Sequence, residues 1–264
     1  MQRVVPVLLV LMAIAVAASL AWLYLASSFP GARGEVTSER RALPPFTRVV
    51  IEGLAEATLV QGDTESVTVE APSKQLARVR TEVTGGTLTI GSGQSRRWWP
   101  GFLGGGARAV RVTITCRNLE SISATGAVKL RAERLKTDRL KVSASGATSL
   151  KIADLDTKEL SVSGSGAMKA ELAGRATEQR VIISGAGDYR ATDLVSEDAQ
   201  VSVSGAGRVA VRVERTLKIA ISGAGSVEYL GDPKVTQQIS GPGRVKRRDA
   251  ADGRLEIASA FSAR

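Results

Sequence analysis

The residues best suited to contact another molecule lie in one short segment, residues 95–108. This segment contains two adjacent tryptophans, one phenylalanine and three arginines: Trp98, Trp99, Phe102, Arg96, Arg97 and Arg108. Aromatic rings beside guanidinium groups can stack on sugar rings, insert at a membrane interface or anchor a protein contact. The alternative is that the two tryptophans simply cover one end of an apolar core.

Catalytic chemistry has little support elsewhere in the chain. There is no histidine and one cysteine, which excludes a histidine base and a disulfide within one chain. Acid–base hydrolysis of sugars needs a close carboxylate pair, and no such pair recurs at a constant place. We therefore predict no catalytic residues, no bound metal and no cofactor.

The composition indicates short strands rather than long helices. The 264 residues include 27 glycines, and only 4% are aromatic. The net charge of +10 favours anionic partners, such as lipid headgroups, acidic polysaccharide or nucleic acid.

The N-terminus predicts export from the cytoplasm. Val4–Ala26 is free of charged residues and is long enough to cross a bilayer as a helix. Residues 1–28 are therefore predicted to be a transmembrane anchor, with a signal peptide cleaved at Ala26-Ser27-Ser28 as the alternative. Both place the remaining chain outside the cytoplasm, so nucleic acid is not an expected partner. Residues 29–45 are predicted to be a linker.

A small-residue phrase recurs through the second half of the chain. It reads SGAG three times, with variants such as SATG, SASG, SGSG and SGPG. Successive copies are 18 to 21 residues apart. Aligned on the last glycine, the copies give a set of structural corner glycines: Gly126, Gly146, Gly166, Gly187, Gly207, Gly225 and Gly243.

Each copy follows the same plan of strand, small-residue corner, strand and polar turn, as in "ADLDTKE" and "VSEDAQ". A unit of about 20 residues cannot bury its apolar face alone, so its neighbours must stack on it. Residues 119–248 are thus predicted to form an all-β, parallel β-solenoid. Glycine would let identical bends repeat without clashes. A phosphate-binding loop is not indicated, because no helix follows the phrase. Asp188 is matched one repeat later by Arg208, so the sequence does not predict a calcium ladder.

Residues 46–118 are less regular, and we expect them to form the first coils or a cap. "VTGGTLTI" predicts a hairpin over Gly85-Gly86. The alternation in "AVRVTITC" makes Cys116 a core residue rather than a reactive thiol. Residues 249–264 are predicted to be a C-terminal tail.

The chain resembles a known bacterial family, the "putative auto-transporter adhesin, head GIN domain" family. The resemblance rests on "FTRVVIEGLAEATLVQGDTESVTVEA", on "VTITCRNLESISATGA", on the serial SGxG units and on "SVEYLGDPKVTQQISGPGRV". It extends over about Phe46 to Lys246. It implies an all-β, solenoid-like domain of the cell envelope with no established enzymatic activity and no inherited catalytic residues.

The expected function is non-enzymatic binding, adhesion or scaffolding in the bacterial envelope, on the extracytoplasmic side. A polysaccharide-active enzyme and an envelope signalling or stress component are the alternatives. The expected partners are the membrane, through the N-terminal helix, and an envelope polysaccharide, an anionic lipid or another envelope protein. A homo-oligomer is also compatible with the sequence.

Overall fold

The computed structural model describes residues 36–92 and 109–248, and most of them lie in strands. The strands are β1 (Val36–Ala42), β2 (Arg48–Gln61), β3 (Ser66–Pro72), β4 (Val79–Thr84), β5 (Thr87–Ser92), β6 (Val110–Cys116), β7 (Ser121–Gly205), β8 (Arg208–Ser222), β9 (Ser226–Leu230), β10 (Lys234–Ser240) and β11 (Arg244–Arg247). One four-residue helix, α1 (Ser73–Leu76), separates β3 from β4. The predicted all-β class is confirmed.

The strand β7 is 85 residues long. A straight strand of that length would extend about 280 Å at ~3.3 Å per residue. Instead, side chains twenty residues apart contact each other: Arg134 Nε lies 3.0 Å from Asp154 Oδ2, and Arg139 Nε lies 2.6 Å from Glu159 Oε2. The chain therefore returns to the same side of the sheet once in every repeat.

The polar turns predicted at "ADLDTKE" and "VSEDAQ" are strand in the structure. Equivalent bends of neighbouring repeats lie side by side, so their backbone groups continue to pair through the bend. At the second of these bends the β7–β8 pairing is irregular, with register shifts between Ala191 and Val195 and between Ser196 and Asp198. The sequence correctly marks these segments as polar, but polarity does not distinguish a free turn from a paired one.

The C-terminal strands all pair in parallel with the repeat before them. Asp188 of β7 pairs with Arg208 of β8, Arg208 pairs with Ser226 of β9, and Ser226 pairs with Arg244 of β11. The strand β10 pairs in the same sense with the second half of β8. Each repeat thus adds one parallel layer to the last, about 4.8 Å further along the stack.

The N-terminal strands do not follow chain order. One edge of β2 pairs in parallel with β7, from Arg48 opposite Ser121 to Leu59 opposite Ala132. Its other edge pairs in parallel with β5 and then with β6. The layer formed by β5 and β6 therefore lies outside β2, although it follows β2 in the sequence.

Antiparallel strands end the sheet on this side. The strand β3 is antiparallel to β6, and β4 is antiparallel to β5, so the sheet is mixed, and it is not closed. The hairpin predicted between β4 and β5 is confirmed. Its two glycines have positive φ angles of 55° at Gly85 and 72° at Gly86, as a two-residue turn of this type requires.

The second half of the predicted linker is a strand. Within residues 29–45, β1 lies next to β3 at the edge of the sheet. Arg41 fixes it by donating hydrogen bonds to the Val79 carbonyl at 3.0 Å and to Thr81 Oγ1 at 2.7 Å. An exposed edge strand needs no apolar alternation, which is why the pattern of the sequence did not reveal it.

The inward-facing side chains form one continuous apolar core, from Phe46 in the first layers to Val227 near the last. Within the described ranges, no helix is long and apolar enough to span a membrane. The predicted anchor or signal peptide (residues 1–28) and the predicted tail (residues 249–264) lie outside the described residues.

Candidate functional site

The predicted aromatic contact segment also lies outside the described residues, so the structure does not place its six named side chains. The flanking strands are described: β5 pairs with Arg48–Ile51, and β6 pairs from Ala55 onward. The outer layer is therefore interrupted opposite Gly53: β5 ends beside the residues before Gly53, and β6 begins beside the residues after it.

The corner glycines form a column through the stack. Eight glycines, one per layer from β2 onward, have φ angles between 94° and 147°. A Cβ atom added to Gly146 would lie 2.7 Å from the carbonyl oxygen of Gly126, and one added to Gly205 would lie 2.7 Å from that of Gly185. Gly126, Gly146, Gly166, Gly185 and Gly205 are therefore required both for their backbone angles and for the close approach of the preceding layer. We call this set the glycine column: Gly53, Gly126, Gly146, Gly166, Gly185, Gly205, Gly223 and Gly241.

The structure corrects the sequence alignment in the last four repeats. Gly187, Gly207, Gly225 and Gly243 were aligned with Gly126, Gly146 and Gly166, but the column continues through the first glycine of each later phrase. The second glycine points inward, and in the first three of these phrases it is buried. Repeat spacing alone could not reveal the shift. The step from Gly166 is 19 residues to Gly185 and 21 residues to Gly187, and both are close to the other repeat lengths.

The shift follows an exchange of side-chain volume across the corner. In the early repeats the inward residue before the column is small and the one after it is larger; the three pairs are Ala124 with Val128, Ala144 with Thr148, and Gly164 with Met168. In the later repeats this order is reversed; the pairs are Ile183 with Gly187, Val203 with Gly207, and Ile221 with Gly225. Each corner thus has room for only one large inward side chain, which comes either before or after the column glycine.

The distances show that the two positions compete for the same space. A Cβ atom on Gly187 would lie 2.7 Å from Ile183 Cγ2, and a Cβ atom on Gly164 would lie 2.8 Å from Met168 Sδ. The recurrent SGAG phrase is therefore explained by packing: its first glycine makes the bend and its second glycine makes room for the residue before the bend.

Thr148 occupies the inward position that Val128 occupies one repeat earlier. Its hydroxyl oxygen is buried and has no hydrogen-bond partner among the described residues. We expect Thr148→Val to raise the free energy of unfolding by about 1 kcal/mol, because it removes an unpaired buried polar group at almost constant volume. Urea titration measures the change, and a destabilised Thr148→Val protein would contradict the assignment. Ser149→Ala, at the next, partly exposed position, is the control and should leave stability almost unchanged.

A buried polar network interrupts the apolar core at Gln179. This residue lies in the inward column that contains Leu140 and Leu160 in the preceding repeats, and it is only 2% exposed. Its Nε2 donates to Tyr189 Oη at 2.6 Å, and its Oε1 accepts from Ser196 Oγ at 2.8 Å. Burial raises the pKa of Tyr189 well above its ordinary value, so the phenol stays protonated. Sequence analysis missed this network.

Removing the tyrosine hydroxyl tests how much this network contributes to the stability of the fold. We expect Tyr189→Phe to lower the free energy of unfolding by about 1–3 kcal/mol, because it leaves a buried amide donor of Gln179 unpaired. Adding Gln179→Leu should cost less in the Tyr189→Phe background than in the wild type. Equal costs in the two backgrounds, measured by urea unfolding, would show that the contact is not energetically coupled.

Cys116 is a core residue, as predicted, with 1% of its surface exposed. Burial raises the pKa of its thiol to about 11, with a smaller contribution from the negative charge of Glu65. The thiol is therefore protonated at neutral pH and has little nucleophilic character.

The side of the stack that bears the polar bends is lined with balanced ion pairs. Lys136 Nζ lies 3.1 Å from Asp156 Oδ2, and Lys158 Nζ lies 2.9 Å from Asp138 Oδ1. Between this side and the strand before the corner is a groove of about 560 Å³, which contains both acidic and basic side chains. Hydrogen bonds from Arg215 lower the pKa of Asp198 in this groove, so this carboxylate stays ionised.

The exposed position three residues after the glycine column has a different charge pattern. In stack order, from the outer N-terminal layer to the last, the residues are Arg111, Glu56, Lys129, Ser149, Lys169, Asp188, Arg208, Ser226 and Arg244. We call this set the outer column. Every second member is a cation, and no two cations are adjacent.

An open groove of about 570 Å³ runs beside the outer column. Alanines at the position after the glycine column contribute to it, among them Ala147, Ala167 and Ala206. Four members of the outer column line the same groove: Ser149, Lys169, Asp188 and Arg208. The site therefore combines a surface of small apolar residues with cations in every second layer. In the part of the chain that the structure describes, no group of three or more acidic or cysteine side chains could hold a metal ion.

These features define an all-β repeat domain with an exposed cationic face. The family described as "Putative auto-transporter adhesin, head GIN domain" matches residues 45–233. The chain belongs to this family, whose members are adhesin-like domains of the bacterial surface or envelope. No protein of curated function matches the sequence.

Crystal structures with a similar fold include three from Bacteroides and Parabacteroides. A "putative adhesin" from Bacteroides fragilis is 21% identical, with a TM-score of 0.72 over 81% of this chain and 97% of its own. One from Parabacteroides merdae is 20% identical, with a TM-score of 0.62 over 82% and 97%. A "putative lipid binding protein" from Parabacteroides distasonis is 18% identical, with a TM-score of 0.59 over 82% and 98%. At these identities the similarity establishes the fold alone.

Proposed function

We propose that residues 119–248 form a parallel β-solenoid, with residues 46–118 as its first coils and N-terminal cap. Three observations support this proposal. The strands of successive repeats pair in parallel, the glycine column stacks backbone on backbone, and the antiparallel strands β3 and β4 lie at the outer edge of the first layer. An antiparallel outer edge would protect the stack from pairing with other chains.

The function that this geometry supports best is non-enzymatic binding or scaffolding in the bacterial cell envelope. The observation on which this rests is the outer column, in which exposed cations occupy every second layer of a parallel sheet. Family membership supports an envelope location. Residues 1–28 would hold the domain at the membrane on its extracytoplasmic side, and the intact mass of protein from the membrane fraction would show whether they are retained.

A binding experiment with product analysis tests this function. The full-length protein in detergent micelles is incubated with isolated envelope polysaccharide and, separately, with vesicles of phosphatidylcholine and phosphatidylglycerol. We expect cosedimentation with envelope material, and no new reducing ends or unsaturated sugars. Products that accumulate in proportion to protein would favour a polysaccharide-active enzyme. If the protein cosedimented with none of these materials, the binding function would be contradicted.

A further inference from the structure

We infer that the outer column binds an acidic polysaccharide in which every second sugar ring has a carboxylate. This inference rests on the proposed binding function and names the ligand class and the residues that recognise it. The ligand would lie along the stack, with its carboxylates opposite the cations at Lys129, Lys169, Arg208 and Arg244. The alternation of charge in the outer column is the observation from which the inference starts.

The spacing of the cations matches such a polymer. Neighbouring layers of a parallel sheet are about 4.8 Å apart, so cations in every second layer are about 9.6 Å apart. An extended β-linked polysaccharide advances by nearly the distance of one layer per sugar ring. A carboxylate on alternate rings therefore meets a cation each time, and the two periods remain in register over several repeats.

The cations of the outer column remain available to a ligand. Lys169 is 53% exposed and its one ion pair, to Glu171 at 3.0 Å, is a surface pair of low energy. Arg208 and Arg244 are exposed and have no ion pair with any described residue. Glu56 lies 3.6 Å from Arg111 and 3.9 Å from Lys129, so the first two cations are partly neutralised. The strongest binding should therefore extend from Lys169 toward the C-terminal layers.

The residues between the cations select against a carboxylate on every ring. These residues are Glu56, Ser149, Asp188 and Ser226, two acids and two hydroxyls. A neutral sugar can donate its hydroxyl or amide hydrogens to any of them. A uronate opposite Asp188 or Glu56 would instead meet a like charge, although Arg190 partly neutralises Asp188 through a contact of 2.8 Å. The column thus favours alternation and not charge density alone.

The neighbouring residues suit a sugar chain better than a membrane. The groove beside the outer column contains alanines, which can pack against the apolar faces of sugar rings. Among the described residues, exposed large hydrophobic side chains are few: Val36, Leu54, Val60, Ile182 and Ile239. None of the five belongs to the outer column. Alternation of charge along the stack would also not strengthen binding to a lipid surface. A regular column of this kind therefore favours a regular polymer.

Two polymers of opposite charge pattern test the inference. Hyaluronan has glucuronate on alternate rings, and polymannuronate has a carboxylate on every ring. We expect the full-length protein to bind hyaluronan oligosaccharides more tightly than polymannuronate oligosaccharides of the same length, despite their lower charge. Equal or tighter binding of polymannuronate, measured by calorimetry at several salt concentrations, would overturn the inference.

Charge-matched variants locate the binding surface. Lys169→Ser with Arg208→Ser should weaken hyaluronan binding about fivefold, as the loss of two exposed charge contacts implies. Lys141→Ser with Lys218→Ser removes the same charge from a different face and should have little effect. Asp188→Asn should raise affinity for polymannuronate more than affinity for hyaluronan. Equal losses in the two double variants would overturn the assignment to the outer column.

The outcomes separate this inference from the proposed function. Binding to anionic vesicles but to neither polymer would make the ligand a membrane surface; the polysaccharide inference would fail and the binding function would stand. Binding to no polymer, vesicle or envelope fraction would contradict both.

Discussion

Gly146→Ala is expected to lower the free energy of unfolding by about 4 kcal/mol or more, a loss that single substitutions rarely reach. The backbone at Gly146 has a φ angle of 95°, which an alanine adopts only with strain. Its new Cβ atom would also lie 2.7 Å from the Gly126 carbonyl oxygen, which belongs to the paired backbone and cannot move independently. Urea titration of the full-length protein measures the loss, and failure to fold would be the extreme form of the same result.

Gly53 provides a matched control. Its φ angle of 94° is nearly the same, yet no described atom lies within 4 Å of the Cβ position. Gly53→Ala should therefore cost only the backbone strain, about 1–2 kcal/mol. Similar losses at Gly53 and Gly146 would show that backbone angle, and not stacking against the next repeat, makes glycine necessary.

The second large effect is expected from a double-mutant cycle at Ile183 and Gly187. Gly187→Ala should cost about 2 kcal/mol, because the added methyl group would lie 2.7 Å from Ile183 Cγ2. Ile183→Ala should cost about 3 kcal/mol through the cavity that it leaves. In the double variant the new methyl enters space that the isoleucine vacates. The combined loss should therefore be at least 1 kcal/mol smaller than the sum of the two.

Gly187 is suited to this test because its φ angle lies outside the left-handed region, so alanine causes no backbone strain there. Leu135→Ala provides the comparison, since Leu135 is buried in a repeat three layers away. Leu135→Ala with Ile183→Ala should be additive within about 0.5 kcal/mol. Additivity of the Ile183 and Gly187 changes as well would refute the exchange of volume across the corner.

Several features could be predicted from the sequence because they depend on local pattern. The alternation around Val142 and Val162 predicts strands, and Gly85-Gly86 between two alternating runs predicts the hairpin. Cys116 could be placed in the core because it continues the alternation of Val112 and Ile114. Periodicity, turn chemistry and burial all act within a few residues of the chain at these positions.

Other features depend on contacts between repeats and could not be predicted in this way. The change in the phrase between Gly166 and Gly185 follows the position of the large side chain, which comes after the column glycine at Met168 and before it at Ile183. The position of β5 and β6 outside β2 reverses chain order, and no local signal records it. Gln179 is a polar residue in an inward column, and its partners Tyr189 and Ser196 become neighbours only in the folded chain.

The outer column was also missed from the sequence, although all of its residues were visible. Alignment on the last glycine shifts the later repeats by two positions relative to the early ones, which separates Lys169 from Arg208. Once the column is registered on Gly166 and Gly185, the cations fall at every second repeat. The error in the glycine alignment therefore concealed the most regular feature of the surface.

A distance between spin labels tests the stacking of repeats most directly. Labels replace Lys129 and Arg244, which lie six layers apart in the outer column, in a protein whose buried Cys116 is replaced by alanine. Parallel layers at ~4.8 Å predict one narrow distribution centred near 29 Å. A broad distribution, or a centre displaced by more than two layers, would contradict the stack on which the glycine column and the outer column both depend.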